Sequence, residues 1–290
     1  MRVNHLRSLG LFMAALSLQV ISSVAATPLP MASPESQQVD PQRLERMHEL
    51  VGGFINEGKY AGAATMVVRN GKIIDWQNWG KASIRTAESV EKDTIYRIYS
   101  LTKVITAVAV LQLLELNKIQ LHQYVTDFIP ELKALRVYKS GTVDDMELEE
   151  VKTPITIEMM LNHTAGFTYD FSNHSPVHSL YKKADLLNSA SLDEFLGRVV
   201  ELPLLAQPGE TFNYSISYDI LPILIQRASG MKFEDYIHEN ITKPLKMRDT
   251  AFYVPEAEMQ RLADIHFEKD GKLKAATKGY TAYAEMGRGF

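Results

Sequence analysis

One helix limits what this chain can fold into. The stretch from Leu101 to Leu116 is apolar nearly all round, and its aliphatic residues include Val104, Ile105, Ala107, Val108, Val110, Leu111, Leu113 and Leu114. A helix of this kind must be buried. Burying even half of those side chains is worth about 10 kcal/mol before conformational entropy is subtracted. The sequence therefore predicts a core helix here, with Asn117 as its C-terminal cap.

The overall composition is that of an ordinary globular protein. The chain has 290 residues, of which 46% are hydrophobic and 23% are charged, enough for one large domain or two small ones. A net charge of -4 gives no sign of a nucleic-acid partner. The absence of cysteine excludes disulfides, thiolate metal sites, a cysteine nucleophile and a lipidated cysteine.

The N-terminus predicts a segment that is separate from the fold. Arg2, His5 and Arg7 precede an uncharged apolar run, and small residues at 23–26 offer a cleavage site. Residues 1–26 are therefore expected to form a secretory signal peptide, with a single membrane anchor as the alternative. Residues 27–42 then form a Pro/Ser-rich linker. We expect a periplasmic or secreted protein with no membrane contact beyond the signal segment.

The rest of the chain predicts an α/β (α+β) fold in which an antiparallel sheet is flanked by helices and joined to a mostly helical region. The sheet part covers 43–120 and 245–290, and the helical region covers 121–244. Local patterns carry this prediction: an amphipathic helix from Pro41, a hairpin turning at Asn70-Gly71, a capping box at Ser191, two helices broken at Ser229-Gly230, and strands at 249–255 and 263–276.

A Ser-x-x-Lys pattern occurs four times, so the pattern alone identifies no site. Three of the pairs lie in polar segments or at a helix break, where the lysine is solvated. Only the fourth opens the apolar helix. The pairs are Ser89/Lys92, Ser179/Lys182, Ser229/Lys232 and, at the apolar helix, Ser100/Lys103.

Two interpretations of Ser100 and Lys103 are open at this point. Residues three apart share one helix face, so the Lys103 amine can reach the Ser100 hydroxyl. Desolvation and the positive end of the helix dipole both disfavour an ammonium there, and a neutral Lys103 could act as a base. Alternatively, Ser100 is only an N-cap and Lys103 extends to solvent.

Three longer segments resemble the serine β-lactamase and penicillin-recognising superfamily. They are "YRIYSLTKVITAVAVLQLLELNKIQL", "ITIEMMLNHTAGFTYDF" and the stretch from "QPGETFNYSISYD" to "PLKMRDTAFYVP". They follow one another in the family's order over about 43–290. The best match within it is the family VIII carboxylesterases, because Ile216 stands where class C β-lactamases have an asparagine in their Tyr-x-Asn motif.

The resemblance implies roles for individual residues. Ser100 would be the acylated nucleophile, and Lys103 would take its proton or hold the base charged. Tyr214 would be the second base and the proton shuttle to the leaving group. His163 and Asp219 would organise loops. No metal or organic cofactor is implied.

Two other patterns are interpreted as decoys. Lys139-Ser140-Gly141 matches the family's third motif in letters. It precedes the tyrosine motif and lies in turn-rich sequence, so we do not assign it that role. His174 and His178 form a lone i,i+4 pair without a carboxylate pattern, which favours a loop over a metal site.

The resemblance also predicts what lies beyond Phe290. Family members continue with three antiparallel strands and a helix, which carry the third motif and one oxyanion-hole amide. We therefore expect a C-terminally truncated, poorly soluble and nearly inactive chain.

The expected function is that of a serine hydrolase acting on a small-molecule ester or β-lactam-like substrate. The preferred activity is carboxylesterase. The alternatives are a β-lactamase, a D-alanyl-D-alanine carboxypeptidase, and a non-catalytic fragment that binds ligand.

Overall fold

The computed structural model describes residues 29–171 and 174–276. The predicted signal peptide 1–26 and the C-terminal residues 277–290 lie outside the described residues. In the part that is described, no helix combines the length and the apolar character needed to cross a bilayer. The helices are α1 (Pro41–Asn56), α2 (Thr102–Glu115), α3 (Ile157–Leu161), α4 (Pro176–Ala184), α5 (Leu192–Val199), α6 (Ser217–Ser229) and α7 (Phe233–Ile237). The strands are β1 (Gly62–Arg69), β2 (Lys72–Gly80), β3 (Arg136–Gly141), β4 (Met146–Glu150), β5 (His266–Lys269) and β6 (Lys272–Ala275).

The N-terminal helix and hairpin form as predicted. The Asp40 side chain accepts a hydrogen bond from the Gln42 amide and caps α1. Strands β1 and β2 pair in antiparallel fashion across Asn70 and Gly71, which have φ of 49° and 70°. Positive φ at both central residues is the signature of a tight two-residue hairpin turn, which explains why Asn-Gly stands there.

The predicted linker 27–42 needs correction. The Ile73 amide donates to the Pro30 carbonyl and the Ala32 amide donates to the Ile73 carbonyl, both at 2.9 Å. These two bonds place Met31 beside β2 in parallel orientation. Residues 30–32 are therefore tied to the hairpin by backbone pairing, and residues 41–42 belong to α1.

Helix α2 forms as predicted, but its burial is one-sided. Ala109, Val110 and Leu113 are buried, and α2 packs against α6 and α7. On another face Val104 is 63% exposed and Leu111 is 48% exposed. The expectation of burial all round is therefore wrong for the described residues, because the packed helices cover only one side.

The end of α2 is a Schellman motif. Asn117 has a φ of 53°, and its amide donates to the Leu114 carbonyl. The next amide, from Lys118, donates to the Leu113 carbonyl. This pair of bonds satisfies two carbonyls that the helix end would leave unpaired, and it puts the asparagine in the left-handed position just past the cap.

The middle region is mostly helical, with one departure from the prediction. Strands β3 and β4 form an antiparallel hairpin in 136–150, which was predicted as turn-rich sequence. The Lys139 amine and the Ser140 hydroxyl both donate to the Glu147 carboxylate on β4. The Lys-Ser-Gly letters thus lie on a strand after all, but the side chains are occupied in pairing the two strands of this hairpin.

The helix starts and stops in this region follow local rules. Ser191 Oγ accepts from the Glu194 amide, and the Glu194 carboxylate accepts from the Ala190 amide, close to the predicted capping box. Helix α6 ends at Gly230, which has a φ of 76°, and α7 begins shortly after. The predicted break at Ser229-Gly230 is confirmed.

The C-terminal part of the described chain contains one more hairpin. Strands β5 and β6 turn at Asp270-Gly271, as predicted. Residues 249–255 contain a turn residue at 249 and a bend at 251–253, and they do not form the predicted strand. One apolar cluster joins the predicted sheet part to the predicted helical region, since it includes Ala109, Val137, Phe195, Ile220 and Phe252.

Candidate active site

Ser100 lies in a short 3₁₀ turn, Tyr99–Leu101, that leads into α2. The residue before it, Tyr99, has a φ of 43°, an uncommon conformation for a residue with a side chain. Just upstream, the Ile95 amide donates to the Arg261 carbonyl, and the Arg97 guanidinium donates to the Ala263 carbonyl. The turn is thus anchored on its N-terminal side, and the Ser100 side chain is exposed to solvent.

Lys103 faces Ser100 from the first turn of α2. Its Nζ donates to Ser100 Oγ at 3.4 Å, as the i,i+3 spacing predicts. The N-cap position of α2 is Leu101, so Ser100 does not cap the helix. Lys103 is half-buried and does not extend freely into solvent. The simple capping interpretation is therefore wrong.

Tyr214 reaches the same hydroxyl from a distant part of the chain. Its phenolic OH donates to Ser100 Oγ at 2.7 Å across a separation of 114 residues. Tyr214 lies three residues before α6, and α6 packs against α2. The site therefore forms where the N-terminal ends of two packed helices meet. The structure brings together all three of the residues predicted to be catalytic.

Hydrogen bonds made by the two residues that flank Tyr214 fix its position. The Asn213 amide donates to the His163 carbonyl at 2.8 Å, and the Asn213 side chain donates to the Phe167 carbonyl at 2.6 Å. On the other side of Tyr214, the Ser215 amide donates to His163 Nδ1 at 3.2 Å. The two resembling segments, 155–171 and 207–219, are thus joined directly at the residues that flank Tyr214.

His163 has a structural position beneath the tyrosine. It is 8% exposed, and its ring lies 4.7 Å from the Tyr214 ring and 5.0 Å from the Tyr218 ring. Burial, together with the nearby Lys103 charge, lowers the pKa of His163 to about 4. The imidazole is therefore neutral at pH 7, which leaves Nδ1 free to accept the Ser215 amide.

Three tyrosine rings surround the Lys103 amine, and two of them were missed by the sequence analysis. The Nζ lies 4.9 Å from the Tyr214 ring, 5.5 Å from the Tyr169 ring and 5.9 Å from the Tyr218 ring. Contacts of this kind attract a cation to the ring face. Tyr218 lies four residues after Tyr214 in the same resembling segment, whereas no sequence pattern indicates a position for Tyr169 beside Lys103.

The outer two tyrosines are held by their hydroxyl groups. The Tyr169 OH donates to the buried Asp219 carboxylate at 2.5 Å, and the Tyr218 OH donates to the Leu161 carbonyl at 2.9 Å. Burial, followed by the neighbouring Tyr214, raises the pKa of Tyr218. Asp219 thus contacts the tyrosine shell and not Ser100 directly, which places it beside the site as an orienting group.

Neither the His174/His178 pair nor the other Ser-x-x-Lys pairs form a comparable cluster of side chains among the described residues. His178 is buried in α4, where Nε2 shares a hydrogen bond with Thr168 Oγ1 at 3.1 Å. Among residues 29–171 and 174–276, no group of three or more potential ligands is arranged to hold a metal ion. Ser89 accepts from Lys81, and Ser229 accepts from the Met231 amide, so both hydroxyls have other partners than their Ser-x-x-Lys lysine.

The chain is similar to known proteins in sequence and in fold. The profile of the beta-lactamase family matches residues 45–289. Protein Rv1367c of Mycobacterium tuberculosis is 30% identical over 213 residues, which cover 73% of this chain and 52% of that protein. Esterase EstB of Burkholderia gladioli is 30% identical over 219 residues, with the same 73% and 52% coverage.

A solved structure shows the same fold. EstCE1, described as a hydrolase with promiscuous acyltransferase activity, superimposes with a TM-score of 0.72 at 23% identity. The match covers 85% of this chain and 68% of EstCE1. The chain spans about half the length of the curated relatives named above. By its profile match and its β-lactamase-like α/β fold, the chain belongs to the beta-lactamase family.

Proposed function

We propose that this protein is a serine hydrolase that cleaves carboxylic esters through a Ser100 acyl-enzyme. One observation carries the proposal: Ser100 Oγ accepts hydrogen bonds from both the Lys103 amine and the Tyr214 hydroxyl. A serine hydroxyl is a weak nucleophile, and it needs a neighbouring group that takes its proton during attack. Two such groups lie within reach of the same oxygen.

The proposed reaction has two acyl-transfer steps. Ser100 Oγ attacks the ester carbonyl carbon, and its proton passes to Lys103 or Tyr214. Collapse of the tetrahedral intermediate breaks the bond to the alcohol oxygen, which Tyr214 protonates. A water molecule then attacks the acyl-enzyme, the carboxylic acid leaves, and Ser100 regains its proton.

The preference for esters over β-lactams rests on Ile216. This residue occupies the place of the asparagine in the class C motif, and its side chain is 1% exposed in the apolar core. It therefore offers no amide to a β-lactam side chain. A β-lactamase or D-alanyl-D-alanine carboxypeptidase would use the same three residues, and the identity to EstB favours the esterase.

Covalent labelling tests the nucleophile. A fluorophosphonate probe should label the purified protein once, at Ser100, as located by peptide mass mapping. Ser100→Ala should not be labelled. Ser89→Ala and Ser179→Ala, which change exposed serines of other Ser-x-x-Lys pairs, should be labelled like the parent. Labelling that persists in Ser100→Ala would refute Ser100 as the nucleophile. A parent protein that binds substrate but is never labelled would refute the enzyme assignment and favour the ligand-binding alternative.

Substrate class is tested by comparing kcat/KM for an aryl butyrate and for a chromogenic cephalosporin, both measured on a chain extended to the length of its relatives. We expect the ester to be the better substrate. A clear preference for the cephalosporin would replace the esterase with a β-lactamase.

We also propose export to the periplasm or beyond, supported by the pattern of residues 1–26. N-terminal sequencing of the protein recovered from a periplasmic fraction should begin near residue 27. A protein that is confined to the cytoplasm with Met1 intact would contradict this.

A further inference from the structure

Two phenylalanines beside the catalytic residues are largely open to solvent. Phe171 is 72% exposed and Phe212 is 67% exposed. A single exposed apolar residue is ordinary on a protein surface. These two differ because both belong to one series of ring contacts that includes Tyr214.

The series runs from one phenylalanine to the other. Phe171 stacks on Tyr169 with centroids 4.7 Å apart, and Tyr169 lies 5.5 Å from Tyr214. In the other direction, His163 lies 4.7 Å from Tyr214, and Phe212 meets the edge of the His163 ring at 5.9 Å. Each phenylalanine is therefore one ring away from the tyrosine that contacts Ser100.

The inner rings of the series are held in place, whereas the outer faces are open. Tyr169 is fixed by its bond to Asp219, and Phe212 directly precedes Asn213, which donates to two carbonyls. A surface made of apolar rings on fixed supports loses little entropy when a ligand binds to it. It can gain stacking or edge contacts with an aromatic group.

We propose that Phe171 and Phe212 form an aromatic bracket that binds the alcohol part of the ester, and that this alcohol is apolar and of aromatic size. The proposal rests on the proposed function, in which Tyr214 protonates the departing alcohol oxygen. The alcohol must then lie against Tyr214, from which each phenylalanine is separated by one intervening ring. For a benzyl ester, the products are the carboxylic acid and benzyl alcohol, with water as the only co-reactant.

Two esters that share an acyl group and differ in their alcohol isolate the contribution of the aromatic bracket to kcat/KM. Benzyl butyrate and methyl butyrate form the same butyryl-enzyme, and their alcohols are similarly acidic. We expect the parent protein to have the higher kcat/KM on benzyl butyrate. Phe171→Ala and Phe212→Ala should each lower that value about 3- to 10-fold, the size of one lost aromatic contact. The loss on methyl butyrate, whose alcohol has no ring to contact the bracket, should be smaller.

A matched substitution controls for general effects. Phe267→Ala removes an exposed phenylalanine from β5, outside the bracket, and should leave both esters unaffected. Equal losses on both esters in Phe171→Ala and Phe212→Ala would indicate damage to the fold and overturn the bracket. Unchanged kinetics in both variants would overturn it too, while the esterase assignment would stand.

A binding measurement keeps the two proposals separate. Saturation-transfer NMR on Ser100→Ala protein should show benzyl alcohol in contact and methanol not, and the benzyl signal should fall when both phenylalanines are also replaced. If the fluorophosphonate does not label the parent, or neither ester is hydrolysed, the esterase assignment fails. The benzyl alcohol signal then tests on its own whether the two phenylalanines bind an aromatic alcohol. A benzyl signal that is absent, or that is equal with and without the phenylalanines, overturns it.

Discussion

Helices α2 and α6 both begin at the candidate active site, but they are buried to different extents. Helix α2 is the more apolar of the two in sequence, yet Val104 and Leu111 on one of its faces are exposed. Helix α6 is buried at eight positions, although it contains Asp219 and a proline, Pro222. High apolar content therefore indicates that a helix is buried on at least one face. It does not indicate which of two helices is buried more extensively.

In the proposed function the two helices would serve different needs. The less buried helix follows Ser100, which would meet the substrate, and the more buried helix follows Tyr214, which would be held at a fixed distance from Ser100. A nucleophile needs access, whereas a proton carrier needs a defined position relative to the oxygen it serves.

The largest effect is expected at Lys103, in the first turn of the less buried helix α2. Lys103→Arg should reduce acylation of Ser100 by about 10²–10⁴-fold, nearly as much as Lys103→Ala, because arginine cannot become a neutral base. The measurement is the fluorophosphonate labelling rate, with Lys92→Arg as a control in an exposed Ser-x-x-Lys pair. A Lys103→Arg protein that keeps most of its rate would show that Lys103 acts only as a fixed cation.

The same leucine substitution in each helix tests the difference in burial directly. Leu224 in α6 is fully buried, so Leu224→Ala should cost about 3–5 kcal/mol of unfolding free energy. Leu111 in α2 is 48% exposed, and Leu111→Ala should cost less than about 1 kcal/mol. Urea unfolding of both variants decides the matter. Equal losses would mean that α2 is covered in solution as fully as α6.

The support beneath Tyr214 should depend on pH. Because the pKa of His163 is lowered to about 4, the unfolded chain binds more protons than the folded chain between pH 4 and about 6.5. The contribution of neutral His163 to stability is therefore present above pH 6.5 and is lost as the pH falls towards 4. We expect a loss of about 2 kcal/mol between pH 7.5 and pH 5.

A glutamine at this position isolates the histidine from the other groups that titrate. His163→Gln keeps a polar side chain that does not ionise, so the parent should lose about 2 kcal/mol more than this variant over the same interval. Parallel pH profiles for the two proteins, measured by urea unfolding, would contradict the lowered pKa.

The smallest effect concerns the C-terminal ends of the two helices. Both end in a left-handed residue, Asn117 after α2 and Gly230 after α6. Gly230→Ala should cost about 1 kcal/mol, from backbone conformation alone, because an added Cβ meets no atom within 4 Å. Asn117→Ala should cost less, because asparagine already carries a Cβ. Thermal melts of the two variants compare them, and a larger loss at Asn117 would contradict the reasoning.

The parts of the fold that were predicted well have local causes. The Asn70-Gly71 turn, the start of α1 at Pro41, the break at Ser229-Gly230 and the Asp270-Gly271 turn each follow from a few neighbouring residues. The errors occurred where contacts with distant segments of the chain determine the local structure. Residues 30–32 are tied to β2, the hairpin at 136–150 was missed, and 249–255 is bent.

The candidate site likewise has one part that the sequence predicted and another part that it did not. The approach of Lys103 to Ser100 follows from helical spacing alone, and the family resemblance singled out Tyr214 among thirteen tyrosines. The shell formed by Tyr169 and Tyr218 was not predicted. Tyr169 enters it from a loop, and no periodic pattern in the sequence connects that loop to α2.

The sequence by itself determined the turns at Asn70-Gly71 and Asp270-Gly271, the positions of helices α1 and α2, and that Ser100 and Lys103 share a helix face. These features depend on backbone preferences and on side chains within a few residues of one another. Only the tertiary structure decided which face of α2 stays open, and that a tyrosine 114 residues away donates to Ser100. Such contacts depend on how segments far apart in the chain pack together, and local sequence does not encode that geometry.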